Sequence, residues 1–385
     1  MEKIRCAIYR GGTSKAIFFM ENDLPSDLKT KEKTLLAVFG SPDVRQIDGL
    51  GGSDITTSKV AIIGPSSRSD ADVDYTFGQV ALDRPVVSFQ GNCGNISSAV
   101  GPFAIDEGLV RAAGSLETVR IHNTNTHKIL IAKVPVLEGK AVTEGDFAIP
   151  GVPGTGAMIE IDFADTAGSA TGKLLPTGNA VDTLEVENVG KIKASIVDAA
   201  NPVVFVMAED IDASGTEYRQ QINNNLKLME KLEAIRAAGA EAAGIVRDRK
   251  EALTESPLAP QIAFIRPPAD YKDYASGQKI EAEQVSFLSR VLFNQMAVEA
   301  YTGTGSICTA AAAMIPGTLV NQVASAEARD SGFIKIGHPR GVMEIEAAVK
   351  TEGGRVELQK VILRRTARRL MEGYTYVKKN ILKVS

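Results

Sequence analysis

Along the first half of the chain, short apolar or alternating runs are punctuated by Gly, Asp, Asn and Ser. CAIYR, KAIFFM, KVAIIGP, DVDYTFGQVAL and PVVSFQ each predict a strand, and VRIHNTNTHKILIAKVPVL predicts a strand, a turn and a strand. Near residue 190 the character repeats, because KIKASIVDAANPVVFVMAEDI again reads as strand, turn and strand. A helical stretch follows from about 215 to 251, where the apolar residues of NNLKLMEKLEAIRAAGAEAAGIV recur at spacings of three and four, as on an amphipathic surface helix. Pro257, Pro260, Pro267 and Pro268 then bracket a strand, QIAFIR, and a second helix is predicted from about 281 to 300. The C-terminus returns to strand patterning in GVMEIEAAVK and RVELQKVIL.

Two segments place a glycine-bearing turn directly before a run that is apolar on nearly every side. One is Gly91-Asn92-Cys93-Gly94-Asn95 before ISSAVGPFAIDEGL; the other is Thr302-Gly303-Thr304-Gly305-Ser306 before ICTAAAAMIPG. A helix apolar all round is a buried helix, so each half of the chain is expected to wrap a central one. At 385 residues the chain suits two domains, placed at 1–189 and 190–385, with the extreme C-terminus a candidate to pack back on the first lobe.

Apolar residues make up 44% and charged residues 23%, a globular composition, and no run approaches the roughly 18 apolar residues of a membrane span. MEKIRCAIYRGG lacks the apolar core of a secretory signal, and the three cysteines cannot all pair, so a cytoplasmic location is expected. A net charge of -4 provides no general attraction to nucleic acid. Arg364, Arg365, Arg368 and Arg369 form the densest basic cluster, but Val361, Leu363, Leu370 and Met371 interleave with them. That mixture predicts a solvated face or an interface stripe, which leaves homo-oligomerisation open, rather than a nucleic-acid patch.

A buried helix exposes unpaired N–H groups and a partial positive charge at its first turn, so both glycine turns are candidate anion sites. Asn92, Asn95, Thr304 and Ser306 add neutral donors suited to orienting carboxylates. GTGSIC lacks the third glycine of a dinucleotide loop, and the segment from Gly168 to Leu174 is one residue short of a P-loop, so phosphate is disfavoured. Cys93 stands at a helix start, an environment that favours thiolate, and is a candidate acid or base. Cys6 and Cys308, among apolar or small neighbours, read as buried small hydrophobes. Lys59 ends a stretch of turn and hydroxyl residues from Gln46 through Ser53 to Ser58; it is either a site lysine on a lining loop or an ordinary surface lysine. His122 and His127 have no Cys, Asp or Glu at ligand spacing within their segment, so no metal site is expected.

Taken in order, RGGTSKAIFF, FGSPDVRQIDGLGGSDITTSKVAI, DVDYTFGQV, GNCGNISSAVGPFAIDEG, IHNTNT, ATGKLLPTGN, DAANPVVFV, TGTGSICTAAAAMIPG and KIGHPRGVMEI resemble the PrpF-type family of 2-methylaconitate cis-trans isomerases and 3-methylitaconate delta-isomerases over nearly the full length. The resemblance implies an α+β, diaminopimelate-epimerase-like fold: two pseudo-symmetric lobes, each a curved sheet or barrel around a central helix, with the active site in the cleft between them. It implies a cofactor-independent isomerase in which Lys59 and Cys93 transfer an allylic proton of a small di- or tricarboxylate, moving a double bond or changing it between cis and trans. Ser14, Ser53, Asn92, Gly94, Asn95, Asn201, Thr302, Gly303, Thr304, Gly305 and Ser306 then stand as substrate-binding candidates. The wider epimerase fold has a second cysteine where this chain has Thr302, and threonine cannot replace that thiol as a base. Two-face racemisation of an amino acid is therefore disfavoured. A 4-oxalomesaconate-type tautomerase and a non-catalytic carboxylate-binding accessory protein remain as alternatives.

Overall fold

β1 (Glu2–Gly11) doubles back through Gly12 and Thr13 into β2 (Ser14–Met20), with Gly11 opposite Ser14. Gly12 takes φ +50°, and a side chain there would collide with the Asn95 amide. The chain crosses over through α1 (Leu28–Phe39), which is capped by the Asp27 carboxylate accepting the Thr30 N–H and ends at left-handed Gly40. β3 (Lys59–Pro65) then lies parallel to β2, and β4 (Val73–Val80) pairs with it antiparallel, placing Gln79 opposite Lys59. The short β5 (Val87–Ser88) pairs with β4 and leads to α2 (Gly94–Asp106), followed by β6 (Leu116–Asn123), β7 (Lys128–Leu137), β8 (Lys140–Ala141) and β9 (Ile159–Asp162). Every residue of α2 from Gly94 to Ile105 is buried, and Gly101 is glycine because a Cβ would sit 2.7 Å from Val134.

The second unit opens with the hairpin of β10 (Asp182–Val186) and β11 (Gly190–Ala199), and β12 (Asn201–Met207) pairs antiparallel to β11. Helices α3 (Arg219–Asn223), α4 (Leu226–Ala242) and α5 (Ala252–Glu255) lead to β13 (Gln261–Arg266), parallel to β12. After a small hairpin of β14 (Tyr271–Lys272) and β15 (Lys279–Ile280), β16 (Phe287–Phe293) pairs antiparallel to β13. β17 (Met296–Ala297) precedes the buried α6 (Gly303–Met314); α7 (Leu319–Val323), α8 (Ala326–Ser331), β18 (Phe333–His338), β19 (Gly341–Glu352) and β20 (Arg355–Arg365) complete the unit. β21 (Ala367–Val377) returns to the first unit as the antiparallel partner of β1.

The computed structural model describes residues 1–382. Among the described residues the compact units are Met1–Ile161 with 365–382, and Asp162–Arg364, whereas the sequence reading divided the chain near residue 190. The β10–β11 hairpin joins β12 in the second unit, which carries the division upstream of 190. Both units repeat one topology: hairpin, crossover to a parallel strand, antiparallel return, two-residue strand, buried helix. In the first unit Ala16, third in β2, lies beside Lys59, first in β3; in the second Val203, third in β12, lies beside Gln261, first in β13. Gln261 thus occupies the place of Lys59. Thr302, preceding α6, occupies the place of Cys93 before α2.

Three expectations need correction. The helix predicted over 281–300 is instead strands β16 and β17 joined by Asn294 and Gln295, which take φ of 50° and 55° in a tight hairpin turn. FLSRVLF is buried at every position except the last, so it carries no alternation to distinguish a strand from a buried helix. The stretch over 215–251 is not one helix: Asn225 caps α4 by accepting the Leu228 N–H, and Gly244, at φ +70°, follows its end. The arginine cluster is not a solvated face throughout, because Arg365 is only 3% exposed. No helix among the described residues is long and apolar enough to cross a membrane.

Candidate active site

In the first unit, the loop before β3 is organised around Gln46, which is buried and held at φ +47°. Its Oε1 accepts the Ser53 N–H at 2.9 Å and the Ser58 hydroxyl at 2.7 Å, while Nε2 donates to Ser41 Oγ at 3.0 Å. A Cβ on Gly51 would lie 2.1 Å from that Oε1, so the glycine makes room for the buried amide. The loop delivers Lys59 to the first position of β3, where it is 4% exposed. Lys59 is therefore not a surface lysine.

Lys59 Nζ donates to Gln79 Oε1 at 2.6 Å and lies 5.3 Å from the centre of the Phe77 ring. Burial drives its pKa below the ordinary lysine value, because an ammonium loses hydration there; Cys93 and Asp54 pull the other way. Cys93 is half-buried and forms the N-cap of α2 in extended conformation, with no side chain capping that end. Its carbonyl accepts the Ser97 N–H at 2.9 Å and the Ser97 hydroxyl at 3.0 Å. The helix therefore starts with its first N–H groups available to an anion.

The other candidates of this unit are distributed unevenly. Asn92 is committed to structure, since its Oδ1 accepts the Cys93 N–H at 2.6 Å and the Ser97 hydroxyl at 3.2 Å. Gly94 and Asn95 are the first two residues of α2, and Ser14 is buried at the start of β2. Asn95 donates to Thr13 Oγ1 and accepts from Arg365 Nε, both at 3.0 Å. Ser53 is exposed, and its hydroxyl donates to the Arg45 carbonyl at 2.7 Å, which binds it to its own loop.

Three further residues at this site were missed in the sequence. Gln79 is the partner of Lys59; an amide inside the apolar run DVDYTFGQVAL is the signal that could have found it. Tyr75, fully buried on the same strand, is close enough to Cys93 that its phenol is pushed well above its ordinary range by burial and then by that neighbour. Arg365 lies beside the start of α2, its guanidinium lowered to about 10 by burial. Nothing in RRTARR distinguishes that arginine from its neighbours.

The second unit holds a neutral counterpart. Thr302 Oγ1 donates to Gln261 Oε1 at 2.7 Å instead of capping α6, and Gln261 Nε2 reaches Thr304 Oγ1 at 3.4 Å. Gly305 leaves room for this pair, because a Cβ would lie 2.2 Å from Thr302 Oγ1 and 2.6 Å from Gln261 Oε1. Ser306 donates its hydroxyl to the carbonyl of Gly303 at 2.8 Å, and Asn201 is buried at the start of β12 after Ala200, which takes φ +61°. Cys308 is fully buried with its thiol against the Val197 carbonyl, and burial raises its pKa; like the buried Cys6, it is a core residue. His122 pairs with Asp74 at 2.9 Å, a contact between strands that the spacing of its own segment did not reveal.

The PrpF protein family model matches residues 1–378. The chain is 52% identical over 377 residues to the 3-methylitaconate isomerase of Eubacterium barkeri, covering 98% of both. It is 40% identical to the 2-methyl-aconitate isomerase of Shewanella oneidensis, covering 98% of this chain and 97% of that one. A solved structure of methylitaconate-delta-isomerase superposes with a TM-score of 0.84 at 51% identity, covering 100% of this chain and 98% of that one. The repeated units are those of the diaminopimelate-epimerase-like fold. With a match this long and an architecture this similar, the chain belongs to the PrpF family.

Proposed function

We propose that this protein is an isomerase of small unsaturated di- or tricarboxylic acids, of the methylitaconate, methylaconitate or aconitate type, in which Lys59 and Cys93 move an allylic proton. The observation that carries this reading is a lysine buried to 4% exposure, lowered in pKa by that burial, in electrostatic reach of a cysteine at an uncapped helix start. The relatives support the substrate class, and the higher identity to the methylitaconate enzyme favours a methylitaconate-type acid over a methylaconitate one.

In this mechanism a substrate carboxylate sits on the N–H groups at the start of α2, beside Asn95 and Ser14. In the second unit, Asn201 and the turn from Thr302 to Ser306 form a separate candidate carboxylate site. The Lys59 amine takes the proton from the carbon next to the double bond, and the released electron pair spreads through the conjugated carboxylate as a dienolate. N–H groups at a helix end stabilise that charge as an oxyanion hole does. The Cys93 thiol then delivers its proton to the far allylic carbon, which completes double-bond migration. Proton return from the Lys59 ammonium to the thiolate resets the pair. Rotation about the weakened bond before reprotonation gives the cis-trans outcome instead.

The test is a panel of such acids in deuterated water followed by proton NMR, with wild type, Lys59→Ala and Cys93→Ala. Each substitution should lower turnover by about two orders of magnitude or more, the scale of general acid-base groups. Cys93→Ala should still wash deuterium into the allylic position without isomerising, which marks Lys59 as the first base. Full turnover in both variants would reduce the site to carboxylate binding.

A further inference from the structure

Gln79 is 6% exposed on β4, directly opposite Lys59 in the register of the sheet. Its amide is held at both ends. Oε1 accepts from Lys59 Nζ at 2.6 Å, and Nε2 donates to the carbonyls of Ser58 at 3.0 Å and Ile55 at 3.1 Å. A flipped amide would set its oxygen against those two carbonyls, so only one orientation satisfies the network, and it presents an acceptor to the lysine.

An amide oxygen can be bonded by an amine as well as by an ammonium, since both carry N–H donors, and having no charge it favours the ammonium less than a carboxylate does. A carboxylate at the same place would favour the ammonium through its charge. The titratable or charged groups that act on Lys59 include the Cys93 thiol at the start of α2 and Asp54 in the preceding loop; the Tyr75 phenol of β4 interacts with that thiol, and the Lys15 ammonium of β2 is close to Gly52 of that loop. β4 faces it with Gln79, which carries no charge, and with the ring of Phe77.

The internal repeat supplies an independent comparison. In the second unit the place of Lys59 is taken by Gln261, and continuing the pairing of Ile262 with Leu292 by one residue puts Phe293 opposite it. Where the lysine is absent, the opposing amide is absent too. The fold itself therefore does not require an amide at this position.

We propose that Gln79 is the positioning residue for proton transfer at Lys59: a neutral acceptor, locked in one orientation, that holds the amine in place without fixing it as an ammonium. This rests on Lys59 being the base, as assigned above. Gln79 acts through Lys59 and does not itself exchange a proton.

The experiment compares Gln79→Glu, Gln79→Met and Lys59→Ala in the full-length protein, each checked for folding by circular dichroism, with kcat and KM measured across pH on a methylitaconate-type acid. In Gln79→Glu the acid limb of kcat should move up by about one pH unit or more, with turnover at pH 7 down about tenfold and recovering as pH rises. That carboxylate also faces the Ser58 and Ile55 carbonyls and can prevent folding, in which case Gln79→Met decides. Gln79→Met should lower kcat by about 10-fold to 100-fold with KM within about threefold and no upward move of the limb. A folded Gln79→Glu with the wild-type pH profile, or Gln79→Met with wild-type kcat, overturns the proposal while an inactive Lys59→Ala leaves the assigned base standing. An active Lys59→Ala overturns the base assignment itself, and the role of Gln79 with it.

Discussion

Thr302→Ala separates stability from catalysis in a way the structure makes quantitative. The Thr302 hydroxyl donates to Gln261 Oε1 at 2.7 Å, and Gln261 is 1% exposed. Removing the donor strands a buried acceptor, because the contact to Thr304 is made by the other end of the amide. An unsatisfied buried acceptor costs about 1–3 kcal/mol. For a unit of this size each kcal/mol lowers the melting temperature by about 2–4 °C, so a fall of about 2–12 °C is expected. Thr302→Ser should recover most of it, and Thr302→Val, which keeps the bulk and loses the donor, should match the alanine variant. Turnover should behave differently. A threonine supplies no base at neutral pH, so Thr302→Ala should keep kcat within about tenfold of wild type, while Cys93→Ala loses about 100-fold or more. Differential scanning calorimetry and steady-state kinetics on the same preparations read both quantities. A folded Thr302→Ala enzyme as slow as Cys93→Ala would refute the division of roles between the two units.

Two further outcomes follow from the same geometry. Burial lowers the pKa of Lys59, so its free-amine fraction at a given pH exceeds that of an ordinary lysine; the acid limb of kcat/KM should lie below 10.5, with rate rising as pH climbs through it, and a limb at the ordinary lysine value would remove Lys59 as the base. Asp198, fully buried, accepts from the Ser169 hydroxyl, the N–H groups of Ala170 and Thr171, and the Thr171 hydroxyl. Asp198→Ala should cost about 3 kcal/mol or more by leaving those donors without their acceptor, and an unchanged urea midpoint would show that the loop rearranges freely.

What could be read from the sequence depended on whether a residue's meaning lay in its own segment. Cys93 and Lys59 stood out as candidates through local signals, a glycine turn before an apolar run and a hydroxyl-rich loop before a strand, although the second signal fitted an ordinary surface lysine as well. The strands of the first half were legible because turn residues bound them closely. β16 was not, since a strand buried on both faces loses its period, and its apolar residues fit a helix equally well. Gln79 and Gln261 acquire their roles only from register, which brings one opposite Lys59 and puts the other in the lysine's place. Arg365, the last residue of β20, is buried and donates to Asn95 of α2, whereas Arg368 in β21 is exposed; that difference comes from tertiary packing and leaves no mark in the local sequence.

The repeat also explains why two similar halves need not perform two similar reactions. Buried polar groups are tolerated when they satisfy one another, and Thr302 with Gln261 is such a pair: donor on acceptor, neither titrating near neutral pH. Lys59 with Cys93 is the opposite arrangement, because an amine and a thiol can each carry a proton, and Cys93 opposes the lowering of the Lys59 pKa by burial. A racemase of this architecture needs a base on each side of one carbon. Here a thiol at 302 would stand where Thr302 now donates to Gln261, and that neutral amide occupies the place the lysine has in the first unit. Replacing one residue therefore does not convert the chemistry: the lysine, its opposing amide and the thiol form a set, and the second unit differs from the first at all three places.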